Sequence, residues 1–389
     1  MEIYGHCDAR FALVRDTFRQ NFAARGELGA AVHVIVEGKV VVDLWGGVAD
    51  HHTGAPWRED TLVLVFSSTK GATAACAHLL HTRGVLDFDA PVAHYWPEFA
   101  QRGKASIPVS FLLTHQAGLA AIDEPLPPEA LFDWERMARA LASQAPLWPP
   151  GEGHGYHAVT FGFLVGEVVR RVTGRSLGGF FRDEIAEPLG LEFWIGLPEA
   201  YEPRVARIRM PPLRNRPTPF FRAVMQRGSL TWKAFMNPPS ITSGSAANTR
   251  TVHAAEIPAS NGITNARGLA GLYAGLVGAH AQQRTPLLDS STRALAERVA
   301  VDGPDRVLLA RTRFSHGFMK SIAEDPEDRV IFGPNAAAFG HVGAGGSFGM
   351  ADPEARVAIG YVMNQLGHGL FLNKRGQSLI DAVYACLER

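Results

Sequence analysis

Ser67 and Lys70 stand three residues apart in the stretch LVFSSTKGATAACAHLLHTRGV, where an apolar strand-like run (Thr61 to Phe66) meets a helix-like run. That spacing is close to one helical turn, so both side chains project from the same face. In the first turn the lysine also feels the positive end of the helix dipole, which opposes its protonation. A serine needs a neighbouring base to become a nucleophile, and a lysine with a lowered pKa can serve. Tyr156, in a glycine-rich loop before another helix-like run (LWPPGEGHGYHAVTFGFLVGEVVRRV), is a second candidate proton carrier. A cationic neighbour such as a lysine would lower its phenol pKa from the ordinary value near 10 and let it accept the serine proton. His341-Val342-Gly343-Ala344 closes a late strand-like run. A glycine there lets a substrate approach the strand edge, and the N–H groups of Ala344 and Ser67 would form a two-donor oxyanion site. The loss of one such donor typically costs about 10²- to 10³-fold in rate. Together these residues suit acyl transfer through serine.

Other patterns carry less. Gly345-Gly346-Ser347-Phe348-Gly349 matches a Gly-x-Ser-x-Gly nucleophile elbow, which needs a following helix, then an acid and a histidine. Here a turn at Asp352-Pro353 follows, and His368 is the sole later histidine, so Ser347 reads as structural. His154 and His157 flank Tyr156, but no carboxylate or cysteine stands at ligand spacing, so no metal is expected. His78 and His81 read as packing or surface residues.

Lys+Arg and Asp+Glu both number 38, so net charge gives no reason to expect nucleic acid or an anionic membrane as partner. Three cysteines (Cys7, Cys76, Cys386) argue against a disulfide framework. The N-terminal residues mix charge into every turn, unlike a signal peptide, and no apolar run approaches the roughly 20 residues of a membrane span. A cytoplasmic protein is expected, of a length that allows two domains or one elaborated one.

The elements that must position these residues begin with an amphipathic helix over 9–25. AAVHVIV and VVVDLWGG then flank Glu37-Gly38-Lys39, a hairpin signal. A short strand over 61–66 precedes the helix carrying Ser67 and Lys70, which stops near Arg83-Gly84. From about 86 to 335 the pattern is helices separated by Pro and Gly loops. Within it, residues 211–240 concentrate Phe220, Phe221, Trp232 and Phe235 and read as the wall of an acyl pocket. Strand character returns with AAAFGHVGAGG and VAIGYVMN, and 376–387 reads as a helix. Strands at both ends of the chain imply that the ends meet in one layered α/β structure.

Ser67-x-x-Lys70, the loop Tyr156 and the His341-x-Gly343 strand, in that order, resemble the serine β-lactamase and penicillin-recognising superfamily. LLTHQAGL, PGEGHGYH, EIPASNGITNARGLAGLY and FGHVGAGGSFGMADPE resemble its class C β-lactamase-like members and above all the family VIII carboxylesterases. The resemblance implies that Ser67 is acylated, that Lys70 and Tyr156 share the base and acid work, and that Ser67 and Ala344 donate to the oxyanion. It implies an α/β fold: an antiparallel sheet flanked by helices, from residues 1–85 and 336–389, with a mostly helical domain at 86–335 and the active site in the cleft between them. No metal or organic cofactor is implied.

Two departures narrow the substrate. The family's Tyr-x-Asn is Tyr156-His157-Ala158 here, and its Lys-Thr-Gly is His341-Val342-Gly343, as in certain DD-peptidases and D-aminopeptidases. Both suit a small ester better than a carboxylated lactam. The expectation is a serine carboxylesterase acting on a small-molecule ester, with a β-lactamase, a D-amino-acid peptidase or amidase, an acyltransferase, or a non-catalytic penicillin-binding-like protein as rivals.

Overall fold

Period-two runs of β-branched residues at both ends of the chain build one antiparallel sheet. The computed structural model describes residues 1–211, 218–239, 245–283, 285–322, 331–369 and 371–388. Its main strands are β1 (Ile3–Cys7), β2 (Gly29–Val36), β3 (Lys39–Asp50), β4 (Phe339–Val342), β5 (Phe348–Asp352) and β6 (Val357–Met363). Their order is β1-β3-β2-β6-β5-β4, with Ala55–Pro56 added beside β3. The β2–β3 hairpin turns at Glu37-Gly38, as its sequence predicts. β2 and β6 join the two ends of the chain, in register from Ala30 opposite Met363 to Val36 opposite Val357.

Alternation along β6 assigns the two faces. Gly360 meets a helix that here is α3 (Ala266–Leu276), at Ala266 and Leu269, whereas Tyr361 points the opposite way. There its hydroxyl bonds Glu27, which in turn pairs with Arg375 of the C-terminal helix α4 (Lys374–Leu387) at 2.7 Å. The amphipathic α1 (Ala12–Ala24) packs beside α4. A short 3₁₀ turn, Ala9–Phe11, replaces the first residues of the expected helix.

The helix α2 (Thr69–Thr82) is buried along nearly its whole length. The expected strand at 61–66 is reduced to Val63–Leu64, paired with Ile263–Thr264. It stops because Phe66 takes φ +47° and turns the chain into a 3₁₀ turn, Phe66–Ser68. Between residues 86 and 335 helices predominate, with small strands such as Val301–Pro304 and Arg311–Phe314 forming a hairpin. Within 211–240, residues 212–217 and 240 lie outside the described residues. The remainder folds as two short helices, Pro219–Met225 and Leu230–Met236, in which Phe220 and Phe235 pack edge to face at 5.3 Å. Phe221 is exposed, and Trp232 lies beneath Arg227. Among the described residues, no helix is long and apolar enough to cross a membrane.

Candidate active site

The Ser-Ser-Thr-Lys segment works residue by residue. Phe66 holds a left-handed conformation that costs a bulky side chain energy and persists only where its surroundings enforce it. Thr69 enforces it from one side: its hydroxyl donates to the Phe66 carbonyl at 2.5 Å and accepts the Gly262 N–H at 2.8 Å. Ser68 does so from the other, donating to the Ser347 carbonyl at 3.2 Å. Ser347 in turn donates to the Val65 carbonyl at 3.1 Å. Ser347 is therefore buried and engaged in joining the β4–β5 turn to the start of the motif, as a structural residue would be. Gly343 sits in this joint. A Cβ there would lie 2.2 Å from the Val65 oxygen and 2.4 Å from the Ser347 hydroxyl.

Ser67 is half-buried at the head of α2, and Lys70, one turn on, is fully buried. The Lys70 amine reaches Ser67 Oγ at 3.4 Å, the Ala158 carbonyl at 2.8 Å and the Ala259 carbonyl at 3.0 Å. Burial, with no carboxylate among the described residues to offset it, drives its pKa well below the usual lysine value. The Ala158 carbonyl belongs to the position that holds the asparagine of the Tyr-x-Asn motif. Ala259 comes from the loop before Ile263, held by Asn261, whose side chain bonds the backbone of Val252, Ala255 and Ile257. Neither carbonyl has a sequence signal, because every residue has one.

The Lys70 nitrogen lies 4.6 Å from the centre of the Tyr156 ring. That ring is enclosed by His115 at 5.0 Å, by Phe314, stacked at 6.2 Å, and by His341 at 6.2 Å. Burial pushes the phenol pKa up; contact with the Ser67 hydroxyl pulls it down, and the charge of Asp305 adds to the rise. The sequence argument expected Lys70 to lower it. The sign is reversed because the same burial that encloses the phenol strips the lysine of its charge.

His341 lies beside Tyr156 with its Nδ1 donating to the Val342 carbonyl at 2.9 Å and its Nε2 buried with no partner among the described residues. Burial holds its pKa at about 3, so the ring is neutral. Ala344, one residue past Gly343, is exposed at the turn. His157 points away from this group: its Nδ1 donates to the Gly155 carbonyl and its Nε2 accepts the Leu119 N–H. His154 bonds Thr312 at 2.6 Å. Among the described residues no cluster of three or more His, Cys, Asp or Glu could hold a metal ion. His78 is buried in the α2 interface and donates to the His316 carbonyl, while His81 stacks on Phe88.

One residue at this site escaped the sequence reading. Asp305, in the turn between Val301–Pro304 and Arg311–Phe314, accepts the backbone N–H of Tyr156. In sequence it is one more turn aspartate, and nothing local ties it to a tyrosine so far away.

These contacts fall within a fold that classifies the chain. It belongs to the family described as Beta-lactamase, whose profile matches residues 14–382. It is 37% identical over 370 residues to the esterase/beta-lactamase LipL of Mycobacterium tuberculosis, covering 94% of this chain and 83% of that one. A crystal structure of a family VIII carboxylesterase superposes with a TM-score of 0.90 at 40% identity, covering 99% of this chain and 100% of that one. A penicillin-binding protein homologue from Caulobacter crescentus superposes with a TM-score of 0.89 at 39% identity and the same coverage.

Proposed function

We propose that this protein is a serine carboxylesterase that cleaves small carboxylic esters through an acyl-enzyme on Ser67. One observation carries the reading: the hydrogen-bond inventory of Lys70. A neutral amine has two N–H groups and one lone pair. The carbonyls of Ala158 and Ala259 take the two N–H groups, which leaves the lone pair for the Ser67 hydroxyl. A lysine held uncharged by burial is thereby oriented as a base.

In acylation the Ser67 proton passes to the Lys70 nitrogen as Oγ bonds to the ester carbon. The carbonyl electron pair moves onto oxygen, which the N–H groups of Ser67 and Ala344 stabilise. Collapse of this intermediate breaks the bond to the alkoxide, and Tyr156, a phenol that keeps its proton, protonates the leaving group. The proton on Lys70 restores Tyr156. In deacylation Lys70 takes a proton from water, hydroxide adds to the acyl carbon, and Ser67 recovers its proton as the acid departs.

Two features favour an ester over a carboxylated lactam. Ala158 has no side-chain amide to read a lactam or peptide, and a neutral His341 offers no cation to a carboxylate. The name of the LipL relative, esterase/beta-lactamase, keeps lactam hydrolysis as the second reading. We further propose that residues 1–85 with 336–389 and residues 86–335 form two parts with the site in their cleft. Ser67 and His341 on the first and Tyr156 on the second support that division, although α3 packs on the sheet. Three free cysteines suit a reducing, cytoplasmic location.

The test is labelling with a fluorophosphonate followed by intact-mass measurement. One adduct is expected in the wild type and in Ser347→Ala, and none in Ser67→Ala. A panel of p-nitrophenyl acetate to laurate, nitrocefin and D-alanyl amides ranks the substrates. Nitrocefin turnover exceeding ester turnover by orders of magnitude would overturn the esterase reading.

A further inference from the structure

Asp305 is 3% exposed and sits where a buried carboxylate is costly, with no lysine or arginine paired to it among the described residues; His154 Nε2 stands 3.9 Å from Oδ2, and burial holds that ring toward its neutral form. What it has instead is donors. Both oxygens accept the Tyr156 N–H at 3.1 Å. Oδ1 also accepts the N–H groups of Val307 and Leu308, each at 2.8 Å, which closes its own turn. Oδ2 accepts the Thr312 hydroxyl at 3.1 Å, and the Thr312 oxygen lies 2.6 Å from His154 Nε2. The Arg306 N–H donates back to the His154 carbonyl at 3.1 Å. The turn is thus locked onto residues 154–156, in a glycine-rich loop with no regular structure of its own to fix the tyrosine.

We infer that Asp305 is a positioning residue for the acid step of ester cleavage, fixing the Tyr156 phenol over Ser67 through the backbone. The inference rests on Tyr156 being the leaving-group acid. The other titratable groups around Tyr156 are Lys70 on α2, His115 before the loop and His341 on β4, with His154 and His157 beside it in the chain and turned toward other partners. Lys70, His115, His157 and His341 are all held toward their neutral forms by burial. Burial also shifts the Asp305 carboxyl upward, so its role rests on the backbone contact rather than on its charge. A carboxylate that only closed a surface turn would not place both oxygens on the N–H of an active-site residue.

The experiment uses two esters of one acid, ethyl butyrate and p-nitrophenyl butyrate. The ethoxide needs a proton to leave and the nitrophenolate does not. In Asp305→Asn, kcat/KM for the ethyl ester is expected to fall on the order of 10²-fold, and that for the nitrophenyl ester less than about 5-fold. Both values come from one preparation, so any misfolded fraction cancels in their ratio, and a purely structural role would leave that ratio unchanged. Thr312→Val removes the hydroxyl that donates to Oδ2 and meets His154, and is expected to shift the ratio the same way by less. It decides the matter if Asp305→Asn does not fold. Tyr156→Phe separates the two levels of the argument. If Tyr156→Phe is selective for the ethyl ester and both other variants lower the two rates equally, the role of Asp305 is wrong and that of Tyr156 stands. If Tyr156→Phe shows no selectivity, both fall.

Discussion

Acidification from pH 7 to pH 5 should destabilise this fold by several kcal/mol, roughly 3 to 4 of them from His78, His157, His341 and Glu27 together, because neutral histidines are buried in it. Burial holds His78, His157 and His341 each at about 3 in the folded chain. The unfolded chain returns each to about 6.5. Below that value the unfolded state takes up protons that the native state refuses, and each histidine costs up to about 1.4 kcal/mol per pH unit until the folded pKa is reached. Glu27 works in the opposite direction. Burial raises it to about 7 despite Arg375, so its neutral folded form favours the native state as pH falls toward its unfolded value near 4.5. Integrated from pH 7 to pH 5, these three histidines cost about 6 kcal/mol and Glu27 returns about 2, while His115 and Lys70, held toward their neutral forms by burial, add to the loss and the raised Asp305 offsets part of it. Against a typical total of about 5–15 kcal/mol, the net change is easily measured. Urea denaturation at pH 7, 6 and 5 and constant ionic strength is the assay. His78 lies away from Ser67, so His78→Asn should flatten the slope by the share of one histidine whatever it does to overall stability. A wild-type midpoint that stays level or rises between pH 7 and pH 5 would refute the reasoning.

Lys70→Met should lower kcat/KM for esters by about 10²- to 10⁴-fold, and Lys70→Arg should not rescue it, since a guanidinium keeps its proton; esterase assays with melting curves as a fold control decide this. Gly343→Ala places a methyl against the Val65 carbonyl and the Ser347 hydroxyl. It should displace the oxyanion strand and cost at least about 10²-fold in ester turnover, with wild-type turnover counting against the close approach. Tyr273 carries a fully buried hydroxyl with no partner among the described residues. Tyr273→Phe should therefore stabilise the fold by about 1 kcal/mol in thermal or urea melts, and a loss of stability would mean that the hydroxyl is bonded after all.

The sheet was legible because its strands alternate or run β-branched, and because Gly38 marks a hairpin turn. Ser67, Lys70, Tyr156 and His341 were legible because side-chain chemistry announces itself, and the structure brings all four together. What escaped was of three physical kinds. Backbone acceptors such as the Ala158 and Ala259 carbonyls carry no residue signature. The sign of the Tyr156 shift depends on burial, which composition does not report. Asp305 acts across a distance in sequence that no periodicity spans. The strand at 61–66 came out short because Ile263–Thr264 offers only two residues to pair with, and Phe66 then turns away.

The pairing of β2 with β6 has a consequence for biogenesis. The edge of β2 waits, unpaired, until nearly the whole chain has left the ribosome, and an open β edge is a template for aggregation. Contacts so distant in sequence also make for slow folding. Because β4 bears His341 and leads to Ala344, and reaches the sheet only through β5 and β6, no early intermediate can own a working site. Esterase activity should therefore emerge last, a built-in report that the two ends of the chain have met.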